Sequence, residues 1–419
     1  MEAFRVEGGR RLEGSLRVDG AKNAVLPIMA AAVMAEGTVT LNDVPQITDA
    51  AHMAEILAIL GCSVGREGRT VTIDPAGIHG WEMPERLSKQ IRSSIFLLGP
   101  ILSRFRRATV TYPGGCEIGM RPIDLHLNGL RSLGVVITES GGQIHCDGGN
   151  MHSGDVHFDY PSVGATENVM MAAACLPGRT IIHNAAREPE IVDLQRFMNA
   201  MGARVTGAGS QYIEIEGVAS LHGAEWTPIP DRIVAGTLLA AAAITGGDIE
   251  LTNAPESDMV AISSKLREMG CRIDEAPGFL HIAAPERLTA FRQLQTQPHP
   301  GFPTDMQVQM LALLCTAEGT GVVVENVFEN RFTHAADLNR MGAQVMCSGR
   351  MAVVHGVDRL CGARVTARDL RGGAALVLAG LRAEGVTEVE GVALIDRGYD
   401  AFEKQLAALG ANITRITRN

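Results

Sequence analysis

The residues best able to do chemistry are gathered in one stretch, Tyr112-Pro113-Gly114-Gly115-Cys116-Glu117-Ile118-Gly119-Met120-Arg121-Pro122-Ile123-Asp124-Leu125-His126. A strand, Thr109 to Tyr112, runs into a glycine pair next to a cysteine, and an Arg-Pro step then opens a helix. A thiol at a helix start beside Arg121 titrates below a free cysteine and is reactive, as nucleophile or as proton donor near the operating pH. In the other half of the chain Asp305, in Phe302-Pro303-Thr304-Asp305-Met306, also stands at a helix start, as an N-cap or as general base for a hydroxyl. Lys22, Arg92, Arg121, Arg331, Arg371 and Arg397 fall where helices begin. A cation there opposes the helix dipole, so its repetition points to an anion between it and the helix N-terminus. As a set these residues describe a site for phosphate and carboxylate groups, which guanidinium forks bind bidentately. The acidic residues Asp49, Glu167 and Asp231, at other helix starts, read as caps.

The elements that must position these groups repeat. A Leu- or Met-Gly step closes a helical pattern at Gly61, Gly134, Gly202, Gly270, Gly342 and Gly410, at intervals of 73, 68, 68, 72 and 68 residues. Each unit opens with a small-residue helix: Asn23 to Ala35, Ser93 to Leu102, Ala165 to Cys175, Ile233 to Ile244, Met306 to Thr316 and Gly372 to Leu381. A strand follows: Thr38 to Leu41, Thr109 to Tyr112, Thr180 to His183, Ile249 to Thr252, Val322 to Glu325 and Thr387 to Glu390. A second, amphipathic helix then ends at the glycine, a plausible C-cap; Ile123, Leu127 and Leu130 show its i, i+4, i+7 spacing. The second helices are expected to start near Asp49, Cys116 to Arg121, Arg187 to Asp193, Arg331 to His334 and Arg397. Hairpin strands complete the unit, as in Arg204 to Thr206 and Tyr212 to Glu216.

After Gly410 too little chain remains for a hairpin, whereas Phe4 to Glu7 and Ser15 to Val18 are strand-like. Residues 1–21 are therefore expected to complete the sixth unit. The expected domains are 22–229, carrying the Cys116 loop, and 1–21 with 230–419, carrying Asp305 and Arg397. Two chain crossings, near 21 and 230, imply a hinge and a cleft that closes on ligand.

Composition narrows the function classes. The chain has 419 residues, 46% hydrophobic but only 4% aromatic, with 47 glycines, so its cores must be built from small aliphatic side chains. A net charge of −10 and no long basic run exclude a nucleic-acid partner. The eight cysteines are dispersed, without a Cys-x-x-Cys pair, as in a reduced intracellular protein. The apolar run Ala24 to Ala35 is too short to span a membrane and recurs in later units, so it reads as a core helix of a cytoplasmic protein with no membrane anchor. No Gly-x-Gly-x-x-Gly after a strand, no Walker motif and no His-Glu-x-x-His occurs, so neither a nucleotide cofactor nor a catalytic metal is expected.

Six ordered motifs carry a resemblance over essentially the whole chain: Gly20-Ala21-Lys22-Asn23-Ala24; Pro113-Gly114-Gly115-Cys116 with Arg121 to His126; Ser162-Val163-Gly164-Ala165-Thr166; Ala186-Arg187-Glu188-Pro189-Glu190-Ile191-Val192-Asp193; Phe302-Pro303-Thr304-Asp305-Met306-Gln307; and Asp396-Arg397-Gly398-Tyr399. Together they closely resemble the UDP-N-acetylglucosamine 1-carboxyvinyltransferase family, enolpyruvyl transferases of the EPSP synthase superfamily that open bacterial peptidoglycan synthesis. The resemblance implies an α/β fold: a two-domain inside-out α/β barrel, each domain three βαβαββ units with pseudo-threefold symmetry. It implies transfer of the enolpyruvyl group of phosphoenolpyruvate to the 3′-hydroxyl of UDP-N-acetylglucosamine, with release of phosphate, by addition and elimination through a tetrahedral ketal. No cofactor and no metal is implied, and the process served is cell wall biogenesis, with cell shape and division.

By the same resemblance Cys116 is the proton donor to the methylene carbon, able to form a covalent adduct with phosphoenolpyruvate and targeted by fosfomycin. Asp305 contacts the 3′-hydroxyl and accepts its proton. Lys22, Arg121 and Arg397 surround the phosphate and carboxylate of phosphoenolpyruvate, with Arg371 in support. Asn23, Arg92, Pro122, Ile123, Asp124, Leu125, Ser162, Val163, Gly164 and Val327 match contacts to the sugar nucleotide. The chain departs at Tyr160, where some members have a lysine near the diphosphate. Two alternatives stand beside this one. A 5-enolpyruvylshikimate-3-phosphate synthase would lack the cysteine loop, against Gly115-Cys116 and Arg187-Glu188-Pro189-Glu190. A silent UDP-sugar-binding paralogue would be marked by loss of Lys22, Cys116, Asp305 or Arg397, and none is lost.

Overall fold

The computed structural model describes residues 2–86, 92–111 and 123–417, with no side-chain description for Arg92 and Ser93. The chain divides into two compact units, one formed by Met1–Asp19 with Pro230–Asn419, the other by the described residues of Gly20–Gly115 and Arg121–Ile229. In each unit three small-residue helices are buried and sheets surround them. In the first they are Arg232–Thr245, Thr304–Leu314 and Leu370–Arg382, packed against one another. In the second they are Lys22–Ala31, Leu98–Phe105 and Val163–Ala173.

A helix apolar on all sides belongs in an interior, and small side chains let such helices approach closely. Gly99 shows the limit: a Cβ built on it would lie 2.3 Å from the backbone oxygen of Asn168, so the helices Leu98–Phe105 and Val163–Ala173 meet almost backbone to backbone. The strands outside alternate. In Tyr212–Glu216 the side chains of Ile213 and Ile215 are buried, while Tyr212, Glu214 and Glu216 face solvent. Helices inside and half-solvated sheets outside make each unit an inside-out α/β barrel.

The expected central strands are present as Val39–Leu41, Arg107–Thr111, Arg179–His183, Asp248–Thr252, Thr320–Val324 and Val386–Glu390, each paired antiparallel with a following strand or, in the last, with the N-terminal one. The second helices end at Ile59, Ser132, Ala200, Glu268, Arg340 and Ala408. Each repeat glycine follows with φ between 83° and 106°, the left-handed cap that only glycine adopts without strain.

Two expectations change. Strand Glu2–Glu7 does complete the sixth sheet, lying antiparallel between Val386–Glu390 and Asn412–Thr417. The second N-terminal strand, Glu13–Arg17, instead lies parallel to Asp248–Thr252 in the fourth unit's sheet. The reason is a parallel edge strand that the sheets share: Glu225–Trp226 beside Val39–Leu41, Asp155–His157 beside Arg179–His183, Gln293–Gln295 beside Thr320–Val324, and Arg364–Thr366 beside Val386–Glu390. Glu13–Arg17 fills that role for the fourth unit. Arg397 does not begin a helix either; it falls between Val392–Ile395 and Phe402–Ala408.

Candidate active site

In the unit built on residues 230–419, Asp305 lies in the first turn of helix Thr304–Leu314, after the N-cap position held by Pro303. Its carboxylate is taken by two arginines. Arg331 Nη2 reaches Oδ1 at 2.9 Å, and Arg371 Nη2 reaches Oδ2 at 3.3 Å. The Arg331 and Arg371 side chains are only 1% and 4% exposed, against 26% for Asp305, so the carboxylate is the group that faces outward. Charge-assisted bonds from two fixed guanidinium groups aim its oxygens and leave it able to accept a proton from a hydroxyl. Arg331 Nε and Arg371 Nη1 are buried with no hydrogen-bond partner, so each guanidinium keeps donor capacity beyond Asp305.

The surroundings hold these arginines. Arg371 starts a helix capped by Asp369, whose Oδ1 accepts from the backbone N–H of Arg371 and Gly372 at 3.0 and 2.9 Å. Burial works against the Arg371 charge, yet Tyr399, Asp305 and Asp231 raise its pKa above the usual arginine value. Tyr399 lies under the guanidinium, 5.2 Å from ring centroid to Cζ, with its hydroxyl 3.0 Å from Thr237 Oγ1. Next to it, Asp396 receives a bidentate bond from Arg415 at 2.9 and 2.7 Å, which fixes the turn that carries half-buried Arg397. His334 is buried; burial lowers its pKa to about 4, with the Asp369 charge opposing and the Arg331 charge reinforcing the shift. Val327 is half-buried in the turn after strand Thr320–Val324, and its N–H donates to buried Glu325.

In the unit built on residues 20–229, Lys22 Nζ lies 2.7 Å from Asp49 Oδ2, with the side chains 11% and 1% exposed. Lys22 and half-buried Asn23 open helix Lys22–Ala31, which has no side-chain cap. The ammonium is thus set at the helix start, the end of a helix that favours anions. Ser162 caps helix Val163–Ala173, its Oγ accepting from Ala165 N at 3.4 Å. Ile123 is buried before helix Asp124–Ser132, Asp124 is exposed and Leu125 half-buried, and Tyr160 is exposed. A buried amide ties these starts together. Asn168 donates to Ile95 O at 3.0 Å and to His126 Nδ1 at 2.7 Å, and accepts from Gly99 N at 2.7 Å. The His126 ring lies against Gly164, where a Cβ would come within 2.8 Å of Cε1. Val163 and Gly164 are thereby brought beside the Asp124 helix start. Asp193, pushed up to about 6 by burial, accepts from Trp226 Nε1 and Ile229 N, both at 3.1 Å; Ile229 O in turn accepts from Ala21 N at 2.7 Å, one residue before Lys22.

Cys116, Arg121 and Pro122 lie outside the described residues, and Arg92 is described only as the start of the 3-10 turn Arg92–Leu97. Of the three acids expected to be caps only Asp231 is one, accepting from Ile233 N and Val234 N at 2.8 and 2.9 Å. Asp49 binds Lys22, and Glu167 is buried inside its helix, with burial and then Glu190 and Glu188 raising its pKa well above the usual value. Asn168 and Glu325 were missed; the one available signal was a polar residue in an otherwise apolar segment. Among the described cysteines, burial pushes Cys62 up to about 11 and Cys146, Cys271 and Cys315 to about 12, the behaviour of inert core thiols. Among the described residues no cluster of His, Cys, Asp and Glu could hold a metal ion, and no helix is long and apolar enough to cross a membrane.

Known proteins resemble this chain in sequence and in fold. The family model of EPSP synthase (3-phosphoshikimate 1-carboxyvinyltransferase) matches residues 6–406. The chain is 50% identical over 416 residues to UDP-N-acetylglucosamine 1-carboxyvinyltransferase 2 of Caldanaerobacter subterraneus, covering 99% of this chain and 100% of the relative. It is 48% identical to the UDP-N-acetylglucosamine 1-carboxyvinyltransferase of Myxococcus xanthus, with 99% of each covered. Among solved structures, the enolpyruvyl transferase NikO from Streptomyces tendae superposes with a TM-score of 0.90 at 25% identity, over 100% of this chain and 99% of that one. EPSP synthase from Acinetobacter baumannii shares the fold, with a TM-score of 0.75 at 20% identity and both chains fully covered. The chain belongs to the EPSP synthase family of enolpyruvyl transferases, together with the UDP-N-acetylglucosamine 1-carboxyvinyltransferases that match it along their whole length.

Proposed function

We propose that this protein transfers the enolpyruvyl group of phosphoenolpyruvate to the 3′-hydroxyl of UDP-N-acetylglucosamine and releases phosphate. Asp305 takes the hydroxyl proton as the sugar oxygen bonds to C2 of phosphoenolpyruvate, and the thiol of Cys116 gives its proton to C3, forming a tetrahedral ketal. Departure of phosphate from C2 with loss of a proton from C3 restores the double bond and leaves an enolpyruvyl ether. Lys22, Arg121 and Arg397, with Arg371, hold the phosphate and carboxylate. Asn23, Arg92, Pro122, Ile123, Asp124, Leu125, Ser162, Val163, Gly164 and Val327 hold the sugar nucleotide. The reaction is the first committed step of peptidoglycan synthesis, serving cell shape and division; it takes place in the cytoplasm, and fosfomycin blocks it at Cys116.

The observation that carries this reading is the Asp305 carboxylate, partly exposed and held on both oxygens by buried arginines. A carboxylate held in this way is oriented toward a hydroxyl that meets it. The test is phosphate release from phosphoenolpyruvate with UDP-N-acetylglucosamine present. Wild type should release phosphate, and Cys116→Ala should be slower by about 10² to 10⁴, the usual contribution of a positioned general acid. Wild type that binds both ligands and releases none, or that turns over shikimate 3-phosphate instead, would refute the proposal.

A further inference from the structure

Glu325 is fully buried and stands immediately after strand Thr320–Val324, and its carboxylate accepts four hydrogen bonds. Oε1 takes Thr296 Oγ1 at 2.8 Å and the backbone N–H groups of Val327 and Phe328 at 2.8 and 3.1 Å. Oε2 takes Thr304 Oγ1 at 2.9 Å. Thr304 is the residue before Asp305. Val327 and Phe328 belong to the turn that runs on to Arg331, and Arg331 returns to Asp305 at 2.9 Å. The turn and the helix start are therefore joined twice, at Glu325–Thr304 and at Arg331–Asp305. Thr296 reinforces the first joint, since its Oγ1 accepts from Asn326 N at 2.8 Å and its carbonyl from Asn326 Nδ2 at 3.1 Å.

We infer that Glu325 is a positioning residue: it locks the Val327 turn to the Asp305 helix start, so that the sugar-nucleotide contact and the base are set as one rigid piece. This rests on the proposed function and adds a residue that acts through Asp305 and Val327 without touching substrate. A carboxylate suits the task because it only accepts, and all four of its neighbours arrive as donors. Displacing a base by about 1 Å costs up to about 10²-fold in rate, so a brace of this kind is read in kinetics before it is read in stability.

Three variants separate bracing from mere filling. Glu325→Leu keeps the bulk but leaves two hydroxyls and two N–H groups unanswered. It should lower kcat and raise the KM for UDP-N-acetylglucosamine, each about tenfold or more, with the KM for phosphoenolpyruvate within about twofold of wild type. Glu325→Gln should restore most of both. Its amide oxygen replaces Oε1, and its NH2 replaces Oε2 by donating to the Thr304 hydroxyl, which can accept. Thr304→Val removes only the Oε2 arm and should lower kcat about threefold to tenfold at an unchanged melting temperature. If Glu325→Leu does not fold, Thr304→Val decides. Wild-type kinetic constants in Thr304→Val, or in the folded Glu325→Leu protein, overturn the bracing role while leaving the proposed function standing. Wild type that neither turns over nor binds UDP-N-acetylglucosamine overturns both.

Discussion

Asp49 holds Lys22 at 2.7 Å in a place where both side chains are nearly buried, and breaking such a pair from one side is costly because a charge stays behind in a dry setting. Asp49→Asn should therefore raise the KM for phosphoenolpyruvate about tenfold, which corresponds to about 1.4 kcal/mol and is modest beside the few kcal/mol typical of a broken buried pair. Steady-state kinetics at fixed UDP-N-acetylglucosamine check this, and an unchanged KM for phosphoenolpyruvate would remove Lys22 from the anion site. His334 supplies a pH test. Its pKa falls from 6.5 to about 4 in the folded chain, through burial first. A depressed pKa means that unfolding takes up a proton, so the stability the neutral ring provides is complete above about pH 6.5 and is lost as pH falls toward 4. Compared with His334→Gln, which cannot titrate, wild type should lose stability across that window with a slope of at most about 1.4 kcal/mol per pH unit. Denaturant unfolding of both proteins at pH 7.5 and 4.5 measures the difference, and parallel losses would show that the ring does not titrate as assigned.

At the scale of elements, the candidate site is made of helix starts, and close packing places them. Gly164 is the sharpest case. An alanine there would set its Cβ 2.8 Å from His126 Cε1 and 3.0 Å from Phe96 Cε1, inside any normal contact distance. Gly164→Ala should push helix Val163–Ala173 off the Asp124 start, costing about 1–3 kcal/mol of stability, as overpacking does, and raising the KM for UDP-N-acetylglucosamine more than that for phosphoenolpyruvate. Equal KM values in variant and wild type would mean that these two starts do not share a ligand. The small-residue helices and the ends of the second helices were legible in the sequence because an apolar period and a Leu- or Met-Gly step mark them, and those marks depend on local chemistry alone. The parallel edge strands were not legible: Glu225–Trp226 and Asp155–His157 are two and three residues long, too short for alternation to register. Nor were the partners of Lys22 and Asp305, because Asp49 and Arg331 are 27 and 26 residues away along the chain and no local pattern announces a long-range ion pair. Asp49 was misread for the same reason: a cap and an ion-pair partner look alike until the third dimension brings in a lysine, whereas Asp231 caps its helix as expected.

At the scale of the molecule, the repeats explain why so much chemistry sits in so plain a composition. Each unit encloses three helices of mostly Ala, Gly, Leu, Met and Val inside its sheets, so the few polar side chains in them stand out. The N-terminal strands follow the same logic. Phe4 and Val6 are fully buried in strand Glu2–Glu7, which pairs on both sides with C-terminal strands, and Glu13–Arg17 supplies the edge of another sheet. The first residues of the chain are thus integral to the unit that carries Asp305, Arg331 and Arg371. The most direct test of the whole is the chemical fate of the sugar nucleotide. Mass spectrometry of UDP-N-acetylglucosamine after incubation with phosphoenolpyruvate and wild-type protein should find one enolpyruvyl group added, attached at the 3′-oxygen, for each phosphate released. Phosphate released without that adduct, or an enolpyruvyl group found on shikimate 3-phosphate with the sugar nucleotide unaltered, would contradict the proposed activity.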